Sequence, residues 1–204
     1  MSGQKIRGED VRGMSLVEAA VVLSVATVVL AVTLPHFGET HRAAVLRGAA
    51  QQIHGLLLRC RVIAIMKQQA HGLVFERRGD GSWRCFIARD GDGDGIRRRD
   101  IQRLVDPIVS EVVFFEAGAA GLGILRSEFV PDPSWRGRLR GNLRDPVRAG
   151  RGDIITFTRR GTATPSSLYF TDHSSRMRVL RVYGATGRAV QLVWKSGWAK
   201  WRPI

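Results

Sequence analysis

Residues 14–34, MSLVEAAVVLSVATVVLAVTL, form an apolar run of 21 residues that carries one carboxylate, Glu18. At about 1.5 Å per residue a helix of that length reaches about 32 Å, enough to cross a hydrocarbon core. A charge at that depth costs roughly 2.5 kcal/mol or more, so the run keeps Glu18 only against a penalty. Glu18 sits about one turn inside the run, where a long side chain can still reach the interface. The preceding residues 1–13 are short and polar, with Lys5, Arg7 and Arg12 against Glu9 and Asp10. That bias predicts a cytoplasmic N-terminus and an exported C-terminal part. No small-residue cleavage site closes the run, which passes directly into LPHFGETHRAAVLRG, so an ordinary secretory signal is not indicated.

The stretch GMSLVE followed by about 20 apolar residues resembles the class III signal of type IV pilins and type II secretion pseudopilins. The resemblance implies cleavage by a prepilin peptidase after Gly13, N-methylation of the new terminus at Met14, and a helix-kinking proline at Pro35, 22 residues beyond Gly13. It also implies a role for Glu18, as the partner of a neighbouring subunit's positively charged terminus during fibre assembly. Pairing of that kind offsets the burial cost of a lone carboxylate. Met14 stands where the family usually has Phe, and Ser15 where Thr is common. Implied partners are other pseudopilins or pilins, the prepilin peptidase and the bacterial inner membrane, crossed once with the C-terminal domain periplasmic.

Beyond the run, Ala49, Ile53, Leu56, Cys60, Ile63 and Ala64 recur at helical spacing, which predicts an amphipathic helix over 40–68. HGLVFERR and WRCFIARD flank GDGS, a hairpin signature, and further strands are predicted over 101–105, 111–116, 124–130, 153–159, 167–171, 176–183 and 188–194. Residues 131–152, rich in Arg, Gly and Pro, read as a long loop. The expected organisation is a leader (1–13), a transmembrane and assembly helix (14–37), an amphipathic helix (38–68) and a periplasmic antiparallel β domain (69–204). The expected fold class is therefore α+β and pilin-like, a long N-terminal helix packed on an antiparallel sheet. Three pieces, LLLRCRVIAIMKQQAHGLVFE, WRCFIARDGDGDG and ITFTRRGTATPSSLYFTDHSSRMRVLRVYGATGRAVQL, resemble the GspH/FimT group of minor pseudopilins. That group implies a non-catalytic subunit of a type II secretion pseudopilus or, alternatively, a minor type IV pilin that binds DNA for uptake.

Several motifs bear on chemistry. Asp90, Asp92 and Asp94 alternate before Gly95, the opening of an EF-hand-type Ca²⁺ loop. The twelfth position is Ile101 instead of Glu, with Asp100 one place early, and Arg97, Arg98 and Arg99 oppose a cation; an acidic turn neutralised by those arginines is the competing reading. Cys60 and Cys85 fall on elements expected to face each other, as a disulfide or as two buried thiols. Asp172, His173, Ser174 and Ser175 are adjacent, whereas a Ser-His-Asp site needs groups converging from separate elements. His41 and His54 read as surface or packing residues.

Charge is concentrated in the C-terminal third. The chain carries a net +14, and residues 135–204 hold 13 Arg and 2 Lys against 3 Asp, a net of +12. There Trp194, Trp198 and Trp201 interleave with Lys195, Lys200 and Arg202, and Arg188 follows a glycine turn. Such interleaving suits DNA, with bases stacked on indoles and cations on phosphate; it also suits a membrane interface, or a final strand and tail packed on their own sheet.

Overall fold

The computed structural model describes residues 15–116, 120–126, 129–134, 137–150 and 152–204, apart from the side chains of 32–37. Gly13, Met14 and the Pro35 side chain therefore lie outside the described residues. The chain divides into two units at His41/Arg42, and α1 (Leu16–Met66) belongs to both. In the first unit α1 exposes Leu16, Val17, Val21, Val22, Leu23 and Val25 among others. Ser24 and Thr27 turn their hydroxyls back to the Val21 and Leu23 carbonyls, which hides the polar groups of an otherwise apolar helix.

In the second unit, Leu46, Ala50, Ile53, Leu57, Cys60 and Ala64 are all essentially buried. Their spacing of three and four residues draws one stripe down the helix. It shares Ile53, Cys60 and Ala64 with the stripe predicted and is otherwise shifted by one residue, leaving Ala49 and Leu56 at its margin. The stripe packs on two antiparallel sheets. The first, in the order β3-β2-β1-β6, contains β1 (His71–Arg77), β2 (Trp83–Arg89), β3 (Val113–Phe115) and β6 (Ile154–Phe157). The second runs β10-β9-β8-β7-β4, from β4 (Gly121–Leu122) through β7 (Ser166–Thr171), β8 (Arg176–Tyr183) and β9 (Arg188–Lys195) to β10 (Arg202–Pro203), with β5 (Val147–Ala149) also on β7. Leu73, Phe75, Ile87 and Phe157 from the first sheet and Leu168, Phe170, Leu180 and Val182 from the second meet the helix in one core.

The outer faces are covered as well. Val74, Phe86, Ala88 and Ile154 pack under Ile96 and Ile101 around α2 (Arg98–Gln102). Tyr169, Met177, Val179 and Trp194 pack under Ile124, Leu125, Val130 and Leu139. With both faces buried, β1 and β2 lose the alternation of a half-exposed strand.

Several expectations are corrected. The pilin-like fold of a long helix on an antiparallel sheet is not what is found. The folded unit, residues 42–204, is mostly β, with two sheets on which its short helical stretch packs. Among the described residues no helix is long and apolar enough to cross a membrane, which overturns the single-pass inner-membrane placement with a periplasmic domain. The described apolar side chains run from Leu16 to Ala31, about 24 Å of helix against a core of about 30 Å. Residues 101–105 are not a strand: α2 ends there, with Val105 and Asp106 N–H both donating to Asp100 O. Ile124, Leu125 and Val130, from the strand expected over 124–130, cover a sheet without being assigned to a strand of it, and the long loop contains β5.

Ile53 is fully buried at the centre of the stripe. Ile53→Ala should lower stability by about 2–5 kcal/mol, read as a shifted denaturation midpoint with an unchanged slope.

Candidate functional site

The aspartate loop is built around a carboxylate that the sequence reading did not single out. Asp106, fully buried, accepts the N–H groups of Gly91 and Arg97 through its two oxygens, each at 3.0 Å. Asp90 accepts Gly93 N–H at 2.8 Å and Gly95 N–H at 3.2 Å. A Cβ on Gly91 would lie 1.8 Å from Val105 O, so only glycine fits where the loop crosses that backbone. Asp90, Asp92 and Asp94 can each bring an oxygen within 4.8 Å of the others. Asp94 is ion-paired with Arg97, and Asp100 is not in the group but sits beside Arg99 Nε at 3.3 Å. The loop's carboxylates thus bind its own backbone and arginines. No local pattern marks Asp106, because the two N–H groups it accepts lie 15 and 9 residues upstream.

Cys60 and Cys85 are both free and fully buried, so of the two readings it is the pair of buried thiols that is found. Burial pushes the Cys85 thiol up to about 12 and the Cys60 thiol higher still, the opposite of what an attacking thiolate needs.

The Asp172–Ser175 turn joins β7 to β8. Asp172 Oδ1 accepts the N–H groups of Ser174, Ser175 and Arg176, each at 2.9 Å. That carboxylate caps its own turn instead of orienting an imidazole. His173 is held at φ +57°, a conformation costing roughly 1–2 kcal/mol for a residue with a Cβ. A Cβ on Gly123 would lie 2.8 Å from Thr171 Cγ2 and 3.3 Å from His173 Cε1, so the absence of a side chain there makes room for the imidazole.

The C-terminal tryptophans are largely used in packing. Trp194 Nε1 donates to Trp198 O at 2.8 Å, and Trp201 Nε1 donates to Pro131 O at 2.7 Å. The Trp201 ring lies 6.4 Å from Trp194 and 6.5 Å from Tyr169. The Arg202 guanidinium stacks 4.1 Å over Trp198. Arg188 and Lys195 stand at opposite ends of β9, about 23 Å apart at 3.3 Å per residue; the structure does not bring them to one spot. It brings Lys195 and Trp198 instead to a cavity of about 250 Å³ that Arg47 of α1 and Arg178 of β8 also line. Lys195 lies directly opposite Arg176 in the ladder, a like-charge placement that is unfavourable unless something compensates it. Burial, and then the Arg47 guanidinium, lower the pKa of Arg178.

A larger cavity, of about 510 Å³, lies where the ends of β1, β2 and β3 come close to β4 and the β7–β8 turn. Trp83, Phe115 and Leu122 line its apolar part, and Arg77, Arg126 and Arg144 its polar part. Sequence reasoning missed it because these residues come from separate segments that look unrelated along the chain.

Neither thiol should react with iodoacetamide in the native chain, and both should be alkylated together in denaturant. Mass spectrometry before and after unfolding reads this directly; labelling of one thiol in the native state would place it on a mobile element. No family model, curated protein or solved structure matches this chain.

Proposed function

We propose that this chain is a minor pseudopilin: a non-catalytic subunit that joins other pseudopilins in a type II secretion fibre after prepilin peptidase cuts between Gly13 and Met14. The observation that supports it is the first part of α1. Val21, Val22 and Leu23, successive residues about 100° apart around the helix, point to three different sides, yet all are more than half exposed. A surface that apolar is stable only when covered, and like helices of neighbouring subunits would cover it. Glu18, exposed in the first turn, then meets the new amino terminus of the next subunit, each charge compensating the other among apolar side chains.

Intact-mass measurement of the chain from cells with prepilin peptidase should show a start at Met14 with an N-methyl group, and the full chain when the peptidase is deleted. Glu18→Val should be processed normally but fail to enter the fibre, because cleavage and assembly use different groups. Normal incorporation of that variant would remove the assembly role.

A second reading, a minor pilin that binds DNA for uptake, is favoured by the convergence of Arg47, Arg178 and Lys195 beside Trp198. Under it, Arg178→Gln with Lys195→Gln should weaken duplex binding and reduce the salt slope by up to about 0.9 per lost phosphate contact. Arg188→Gln, at the far end of β9, should leave binding nearly unchanged. Equal loss from both changes in a gel-shift series would point to diffuse attraction instead of a site.

A further inference from the structure

Among the described residues some arginines are ion-paired and others are not. Arg84 and Arg98 pair with Glu76, and Arg97 with Asp94. Arg77, Arg126 and Arg144 line the cavity of about 510 Å³, and no guanidinium of theirs meets a partner among the described residues. His173 lines it too, and among the described lining residues the one carboxylate is Glu116. Below the cations the surface is apolar: Trp83 and Phe115 are buried, and Leu122 and Leu143 half-buried. The volume falls within the range of about 300–1,000 Å³ typical of small-ligand sites, which are mostly apolar with a few placed polar groups.

The walls are held in place by structure already described. Arg77 ends β1 and Trp83 begins β2, directly opposite each other in the ladder. Asp172 caps the turn that fixes His173 at its left-handed φ, and Gly123 leaves the room its ring occupies. A non-glycine residue held in that conformation by surrounding bonds is a common mark of a functional position.

We propose that this cavity binds an apolar group carrying a carboxylate, either the C-terminal residue of a peptide or a free short-chain acid. Planar guanidinium groups match the two oxygens of a carboxylate and form charge-assisted pairs with it. The aromatic and aliphatic floor takes the attached hydrocarbon. A nucleic-acid strand would need an open cationic groove that tracks its backbone, whereas here the cations border an apolar pit.

The test is calorimetric titration of the full chain, kept in solution by an uncharged detergent, with N-acetyl-phenylalanine, its amide and hexanoate. The acid is expected to bind about tenfold more tightly than the amide, as loss of one charge-assisted pair implies. Arg126→Gln with Arg144→Gln should abolish that preference without changing the melting temperature. Leu143→Trp, which fills the cavity from a half-buried position, should remove binding of both acids. Tighter binding of N-acetyl-phenylalanine than of hexanoate identifies a peptide terminus as the ligand, and the reverse identifies a free acid. Equal binding of acid and amide, no saturable binding of either acid, or a preference that survives the double arginine substitution would overturn the proposal.

Discussion

The contact between one helical stripe and two sheets organises the folded unit. Leu46, Ile53, Leu57 and Cys60 lie against side chains from both sheets in a single core. Burying a Leu or Ile side chain contributes about 1.5–3 kcal/mol, so Leu46, Ile53 and Leu57 together outweigh the local preference of any one strand residue. Each sheet then has a second face that must also be covered. Ile96 and Ile101 cover one, and Ile124, Leu125, Val130 and Leu139 with the C-terminal tryptophans cover the other. Residues that look like independent strands or a free basic tail are drawn into that task. Trp194 and Trp201 are the clearest case, with indoles packed together and both N–H groups bonded to backbone carbonyls.

Charge is arranged around this apolar frame in two ways. Near α2 the carboxylates and arginines satisfy one another and the backbone, with Asp106 joining Gly91 to Arg97 and Arg98 reaching Glu76, Phe75 O and Gly152 O. Such groups hold a loop in shape and leave little for a ligand. On the face of β8 that carries Leu180 and Val182, the same alternation places Arg178 and Arg176 toward the other end of the strand. The face thus changes from apolar to cationic within one strand, and Lys195 opposite Arg176 adds to that end. Folding stability does not require such a placement, which is why the cationic positions bear on recognition.

Legibility followed the physics of each segment. The hairpin around GDGS and the strand over 176–183 were readable because a turn or a clear alternation of residue type marks them. The helical stripe was readable in period and only displaced in phase, since alanines at 49, 50 and 64 give a weak hydrophobic contrast. Residues 101–105 and 124–130 were misread because apolar residues that cap a sheet face have the same composition as residues within a sheet. The two-residue and three-residue strands, β4 and β5, carry too few side chains to show any period. Of the candidate sites, the aspartate cluster was visible as a motif, but its internal bonds were not; Asp106 is distant in sequence and enters only when the loop closes.

By itself the sequence determined the local features: the apolar run with Glu18, the helical period after residue 41, the main hairpin, and the excess of cations toward the C-terminus. Each depends on neighbours a few residues apart, where periodicity and turn chemistry act. Only the tertiary structure decided that the strands form two sheets, that both faces of each are covered, and that Cys60 and Cys85 are free within one core. It also decided that Arg77, Arg126, Arg144 and His173 share a cavity while Arg188 and Lys195 are held at opposite ends of one strand. Those outcomes depend on contacts between residues far apart in sequence, which arise only when the whole core closes and which no local pattern encodes.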